Sequence, residues 1–493
     1  MSVAMATIPS NQLVPLFYAE MDNSAAGYFE NSSRILVLGH ALTGAPIANN
    51  QLTLTATGDQ AVGYFGRGSM LARMVDRVRR NNAGAEIWTL AVAEPAGGAA
   101  ATGTITITGV ATEAGVLTVY LAGQRVQAGV AKSDAAAAAA TALAAAINAS
   151  ADLPVTASAT AGAVTWTARH KGLTGSDIVC TLNLRGAESG ERTPGGLTVA
   201  LAAGAAGAGS PDLSPTIAAM GDELFDAIVL AWSDAATTDA FKLLMNDQTG
   251  RWSYAQMLYG HVWAAQRGTL GALVTAGGTR NDQHLTVAGM ETQVQSPAWE
   301  YAAAYGGACT SSLFIDPARP TQTLPLLGTV GAPRGQRFIM QERQSLLSAG
   351  IATSMTGSDG TVMVERSVTS YRVNAWGQPD PSYRDVETLY TSSYVLRDLR
   401  YTVTQKYGRH KLAKDGTRFG PGQAIVTPSM IRAELIARYA FLEEMGVVED
   451  SAGFAENLVV EIDASNPNRV NILFPPNYVN QLRIVAVRNQ FRS

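Results

Sequence analysis

RILVLGHAL (Arg34–Leu42) and EIWTLAVA (Glu86–Ala93) flank a stretch with helical spacing, and this trio decides the fold. Each run is short, apolar and β-rich, as strands buried on both faces of a parallel sheet must be. Between them Met70, Leu71, Met74, Val75 and Val78 recur at helical spacing, with Arg67, Arg73, Asp76, Arg77, Arg79 and Arg80 mainly on the other side. Asp59 is the expected N-cap of one helix, which Asn82 and Gly84 stop. Strand, helix, strand in this order predicts a right-handed parallel crossover.

Downstream the composition shifts. Residues 96–208 contain two aromatics, Tyr120 and Trp166, and six basic against six acidic residues in an Ala-, Gly- and Thr-rich background. Alternating runs GTITITGV and GVLTVYLAG read as strands, 133–148 as an alanine-built helix, and VTASATAG, AVTWTARHKG and DIVCTLNLRG as further strands. Glycine-rich joints at 95–98 and 204–209 flank the segment. It is expected to be a β-rich insertion whose two ends leave the α/β unit from one edge. The α/β pattern resumes with FDAIVLAW (Phe225–Trp232) as a strand, 235–248 as a helix, TLGALVTAG (Thr269–Gly277) as a strand and 299–305 as helical. TVMVERSVTSY (Thr361–Tyr371) is extended. Tyr383–Tyr407 reads as a long helix with Val386, Leu389, Tyr390, Leu396, Leu399 and Val403 on one side, and 428–445 as a helix capped by Thr427. Three strands follow: ENLVVEID, RVNILFP and QLRIVAVRN.

At 493 residues the chain suggests about three domains. Hydrophobic residues are 47 % and charged residues 15 %, which argues against disorder. The net charge of −4 argues against a protein that coats nucleic acid. So low a charge content suggests a surface covered by other protein. Cys180 and Cys309 form neither a disulfide framework nor a zinc pattern, and are expected to be buried or half-buried free thiols. The N-terminus has no signal-peptide pattern and the alanine-rich 135–151 stretch is too short to span a bilayer. A soluble product, intracellular at synthesis and without direct membrane insertion, is expected.

The sequence carries none of the common catalytic or metal-binding motifs. There is no Walker A loop, no G-x-S-x-G elbow, and no H-E-x-x-H or paired-cysteine pattern, so no catalytic, cofactor or metal residue is expected. Gly63, Gly66 and Gly68 lie within a helix-forming region rather than just after a strand. His40, after the first strand, and His284 are the residues on which an α/β hydrolase or other enzyme would have to rest, with Asp226 and Asp316 as strand-flanking carboxylates.

Two features point to assembly. The first is a basic run: Arg397, Arg400, Lys406, Arg409, Lys411, Lys414 and Arg418, opposed only by Asp398 and Asp415. It is a solvated helix face, a contact for an acidic protein surface, or a nucleic-acid contact; such charge pairs are weak and salt-sensitive. The second is a strand-forming arm at Leu13–Ala19 and a terminal strand at Gln481–Asn489, neither with a local partner. Either both fold back on their own sheet, or they join strands of other subunits, since open edges recruit other chains.

VPLFYAEMDNSAA (Val14–Ala26), GHALTG (Gly39–Gly44), FGRGSMLARMV (Phe65–Val75), NPNRVNILFPPNYVNQLRIVAV (Asn466–Val487) and the closing QFR resemble the tail sheath proteins of contractile-tailed, Mu-like phages. The resemblance covers nearly the whole chain. It implies a structural protein, with an α/β core of subtilisin-like type holding a mixed or parallel sheet, a β-rich inserted domain and an α+β C-terminal domain. The implied division is a linking arm at 1–30, a core at 31–95 with 210–380, an outward insertion at 96–209, a tube-facing domain at 381–478 and a linking strand at 479–493. Leu13, Leu16, Phe17 and Tyr18 would form one linking strand; Leu482, Ile484, Val485 and Val487 the other, beside 456–463 and 469–474. Arg397, Arg400, Lys406, Arg409 and Lys411 would face the tube. Partners would be further copies in stacked six-subunit rings, the tail tube protein, and the baseplate and tail terminator proteins. Assembly would occur in the host cytoplasm and the product would reside in the virion tail. The sheath would contract once, from a kinetically trapped extended state, on joints such as Gly27 and 475–477. The sheath of a related bacteriocin or secretion device is the alternative. GTVGAP (Gly328–Pro333) has Val where the family of subtilisin places its nucleophile, so proteolysis is not implied.

Overall fold

The computed structural model describes residues 33–492. RILVLG forms the strand Arg34–Gly39, with every residue after Arg34 buried. It pairs parallel with Glu86–Ala91 on one side and Ala227–Leu230 on the other. The sheet continues, still parallel, through His261–Arg267 to Leu285–Met290. A short antiparallel strand, Thr53–Leu54, completes the six-stranded sheet beyond Glu86–Ala91. The strand–helix–strand opening is therefore the nucleus of a larger parallel sheet. His261–Arg267 and Leu285–Met290 escape the sequence reading, and TLGALVTAG, read as a strand, is instead the helix Leu270–Gly278. Thr269 caps it by accepting from the Ala272 N–H at 3.3 Å. Only Leu273 and Gly277, four residues apart, are buried, which is a helical stripe and not a strand alternation. A short apolar run does not by itself separate the two.

The single helix expected from Asp59 is two, Gly58–Phe65 and Met70–Asn81. Thr57, not Asp59, caps the first, and Ser69 caps the second by accepting from the Ala72 N–H. Gly66 and Gly68 break the run at φ +91° and +80°, a conformation that favours glycine. Gly68 also lies under the insertion: a Cβ there would sit 2.6 Å from the Ala151 carbonyl oxygen.

Met70–Asn81 packs on the buried helix Ala298–Leu313, which lies against the sheet. Gly306 and Gly307 allow this approach, since a Cβ at either would stand 3.2 Å from Trp263 or Val78. Between the two helices Glu300, fully buried, accepts from Arg73 Nε at 2.6 Å and lies 2.8 Å from Arg77 Nη2. Burial pushes this carboxyl upward, but the two guanidiniums outweigh it and hold it below the usual range.

The insertion contains a four-stranded antiparallel sheet, in the order Leu197–Ala203, Ala100–Gly109, Ala163–Lys171, Val155–Thr160. Its three-stranded companion runs Gln124–Val130, Gly115–Leu121, Cys180–Leu182. The helix Ala136–Ala149 buries Ala139, Ala140, Leu143, Ala144 and Ile147 against these strands. The chain enters and leaves side by side, Ala99 and Ala208 exchanging backbone hydrogen bonds of 3.0 and 3.1 Å.

The long helix begins at Val386, not Tyr383, and runs to Tyr407. Val386 and Tyr390 belong to the core of the large sheet, whereas Val395 belongs to a second core with Leu435, Tyr439 and Phe454. One helix thus ties two cores together. Leu396, expected on its buried side, is exposed, and Val395 is buried instead. The second core is roofed by Pro428–Glu444, Ser451–Asn457 and the hairpin Val459–Ile462 with Val470–Leu473.

Candidate assembly interface

The hairpin pairs Val459 with Leu473 and Ile462 with Val470. Asp463 shapes its turn by accepting from the N–H groups of Ser465 and Asn466 at 2.9 Å and the Ser465 hydroxyl at 2.6 Å. Those bonds, led by the Ser465 hydroxyl, hold its carboxyl well below the usual range. The sheet has two strands only, so among the described residues no third strand lies on either outer edge. Val459, Ile472 and Leu473 are exposed on it.

QLRIVAVRN does not complete this sheet. Among the described residues it forms no strand and pairs with nothing in its own chain as a ladder. Leu482, Ile484, Val485, Val487 and Phe491 are 68–86 % exposed. The expectation of a third tail strand is therefore corrected for the free chain: the segment has strand composition but no strand partner. The segment expected to act as a joint, 475–477, is hydrogen-bonded to the second core at one residue. Asn477 donates its N–H to the Tyr439 hydroxyl at 3.0 Å and accepts from the Glu449 N–H at 2.8 Å, so it is pinned. Leu13, Leu16, Phe17, Tyr18 and the joint at Gly27 lie outside the described residues.

The basic run divides. Arg397 is withdrawn from any surface role: it is half-buried, ion-paired to Asp226 and donates to the Tyr259 carbonyl. Lys406 pairs with Glu434. Arg400, Arg409 and Lys411 are exposed. Of the two acids that oppose the run, one is spent elsewhere and the other stays exposed and ionised. Asp398 is buried against Arg438, with Nε to Oδ2 at 2.8 Å, and Asp415 accepts from the Ser429 N–H and hydroxyl. The exposed part keeps its basic excess, but Arg397 and Lys406 no longer contribute to it. Arg438, forty positions away, gave no signal in the sequence.

His40 and His284, on which the enzyme alternative rests, are not brought together. His40 follows the first strand at the carboxyl end of the sheet, and His284 precedes Leu285 at the opposite end. His40 is fully buried, bonded through Nδ1 to the Val92 carbonyl at 2.9 Å, and burial pushes its pKa down to about 4. His284 Nε2 meets Asp247 at 2.8 Å. Among the described residues no group of metal-ligating side chains converges. Cys309 is buried and Cys180 half-buried, both free, and burial pushes the Cys180 thiol up to about 12. No described helix is long and apolar enough to cross a membrane.

Sequence comparison matches three family models in succession: the phage tail sheath protein beta-sandwich domain over residues 96–198, the phage tail sheath protein central domain over 206–370, and the phage tail sheath C-terminal domain over 378–492. A Mu-like prophage FluMu tail sheath protein of Haemophilus influenzae is 40 % identical over 494 residues, covering all of both chains. The chain belongs to the phage tail sheath family. A sheath tail protein of Desulfitobacterium hafniense shares the fold at a TM-score of 0.50 and 12 % identity, over 95 % of this chain and 97 % of that one. A sheath tail protein of Listeria innocua gives 0.49 and 12 % over 93 % and 94 %. The chain is thus a structural tail sheath protein of multi-part α/β architecture.

Proposed function

We propose that copies of this sheath protein polymerise as stacked six-subunit rings around a tail tube and contract to drive the tube through the host envelope for genome ejection. The observation that carries the reading is the pairing of opposites in one chain. Beyond Arg483 a strand-like apolar segment runs on without a strand partner, and among the described residues the two-stranded hairpin keeps its outer edges open. Each supplies what the other lacks, so adjacent copies join by strand addition. Backbone bonds in a shared strand contribute about 1 kcal/mol each and do not depend on how the rigid cores are oriented. The mesh therefore survives while cores rotate into new lateral contacts, which supply the free energy of contraction in place of a bound nucleotide.

In this reading residues 1–30 form the second linker, 31–95 with 210–380 the subtilisin-like core, 96–209 the outward insertion, 381–478 the tube-facing part and 479–493 the C-terminal linker. Arg400, Arg409 and Lys411 meet the acidic surface of the tail tube protein, with Lys406 held back by Glu434. Baseplate and tail terminator proteins close the two ends. Assembly takes place in the host cytoplasm, the chain ends in the virion tail, and it has no catalytic role. The test is the Ile484→Asp, Val487→Asp double variant. Its subunit melts within about 1 °C of the parent, because both positions are exposed, yet negative-stain images show no long tubes. Tubes of parental length would refute the shared strand.

A further inference from the structure

The C-terminal segment touches its own subunit twice before it runs free. Tyr478 bridges to Val448, which fixes it to the second core. Four residues on, it is held by the first core: the Leu482 carbonyl accepts from Gln322 Nε2 at 3.1 Å, and Arg483 enters a pocket made by Asp385 and Glu387. Arg483 Nη2 lies 2.8 Å from Glu387 Oε2 and 3.4 Å from Asp385 Oδ1.

The pocket requires that cation. Glu387 is fully buried, and its Oε1 is already used by the Thr321 N–H at 2.9 Å and the Thr321 hydroxyl at 3.0 Å. No hydrogen-bond donor satisfies Oε2, and its near neighbour is Arg483. Arg366 is engaged by Asp385 in a two-pronged contact of 2.8 and 2.9 Å. Two carboxylates against one guanidinium leave a buried negative charge, and Arg483 neutralises it. The sequence conceals this, because Arg483 sits inside an apolar strand pattern.

We infer that the Asp385–Glu387 pocket is a receptor for Arg483 that clamps the root of the C-terminal linker to its own core, so that the link to a neighbour pivots at Ile484. The inference rests on the shared-strand reading only for this consequence in the polymer. It shortens the reach of the link. Ile484–Arg492 spans about 30 Å when extended, against about 60 Å for a linker freed at Pro475. A short tether anchored on the core couples core rotation in one copy directly to the hairpin of the next.

Trypsin provides the test on the full-length free subunit, because Arg483 and Arg488 are both cleavage sites on one tail. Arg483 is sheltered in the pocket whereas Arg488 is exposed. In the parent, the bond after Arg483 is cut at least ten-fold more slowly than the bond after Arg488. Glu387→Gln raises the Arg483 rate toward that of Arg488. Gln322→Ala, a milder change near the surface, raises it several-fold, and the Arg488 rate stays constant in both. Equal cleavage of the two bonds in the parent, or a ratio unmoved by both substitutions, overturns the clamp. Either result leaves the shared strand standing, since that falls only to normal tubes from the Ile484, Val487 variant.

Discussion

Replacing Glu300 by Gln tests whether the two stretches of chain on either side of the insertion are joined by one buried charge. The substitution keeps the shape and removes the anion between Met70–Asn81 and Ala298–Leu313. Arg77 retains Asp76 at 2.9 Å. Arg73 retains only the Asp152 carbonyl and is itself buried, so it bears most of the cost. Breaking a buried pair costs about 3–5 kcal/mol. The partner left to Arg77 places this case at the lower end, about 3 kcal/mol. At roughly 2–4 °C per kcal/mol for a unit of this size, the melting temperature falls by about 6–12 °C. The Glu300 carboxyl is held below its unfolded value, so its stabilisation is present at neutral pH and is lost as pH falls through the depressed folded value. The loss in Glu300→Gln is therefore large at pH 7 and shrinks in acid. Thermal unfolding of both proteins at pH 7 and in acid measures it. An apolar pair, Glu300→Leu with Arg73→Met, recovers much of the loss. A drop under 1 °C at pH 7, or a drop that does not shrink in acid, refutes the reasoning.

His40 makes the subunit acid-sensitive in a different window. An unfolded histidine titrates near 6.5, but burial first, and the nearby His170 in smaller part, lower His40 to about 4 against the opposing Val92 carbonyl and Glu94. Above about pH 6.5 neither state binds the proton; between 6.5 and 4 only the unfolded state does, so stability falls by up to about 3 kcal/mol. Denaturant titrations across that range should show a slope that His40→Gln, which can still donate to Val92, flattens. Reversing the exposed basic set, with Arg400, Arg409 and Lys411 each changed to Glu, should leave melting within about 2 °C and abolish salt-sensitive co-sedimentation with the tail tube protein; unchanged co-sedimentation removes these residues from the tube contact.

What was legible in the sequence was what neighbours in sequence decide. Arg34–Gly39 and Glu86–Ala91 are apolar runs of strand length, and the Met70–Val78 periodicity leaves one reading. The break at Gly66 and Gly68 was not legible, because whether a glycine continues a helix or turns out of it depends here on the insertion backbone pressing on Gly68. TLGALVTAG failed for a related reason: its period is ambiguous, and only the placement of Leu273 and Gly277 against the core settles it as a helix. In the interface the same division holds. The apolar, unpartnered character of 484–487 is visible locally. The fate of each charge is not, since Arg397 finds Asp226 and Asp398 finds Arg438 only through the fold. The clamp at Arg483 belongs to this second kind.

The treatment of sheet edges sets the hairpin apart from two other edges of the chain. Val155–Thr160 ends the insertion's larger sheet, and Asn148 covers it like a strand of one residue: its amide donates to the Ala157 carbonyl at 2.7 Å and accepts from the Ala157 N–H at 2.9 Å. Leu285–Met290 ends the core sheet, and there Ala352 exchanges bonds of 2.9 Å with Gly289 and Val287 while Ser370 donates to Leu285 at 2.8 Å. Both are protections that an open edge otherwise needs against unplanned pairing. The hairpin has no such cover among the described residues. Leu197–Ala203 and Gln124–Val130 are other edge strands among the described residues, and their sequences LTVALAA and QRVQAGV offer an incoming strand fewer large apolar side chains than the hairpin's VVEI and VNIL. Of the hairpin's side chains Val459, Ile472 and Leu473 are exposed, and strand addition draws its affinity from backbone bonds and its selectivity from such side-chain contacts. Where other edges are capped or poor in large apolar residues, the hairpin is open and apolar and so best suited to add a strand, and Ile484–Val487 is a segment of matching composition that forms no strand in its own subunit.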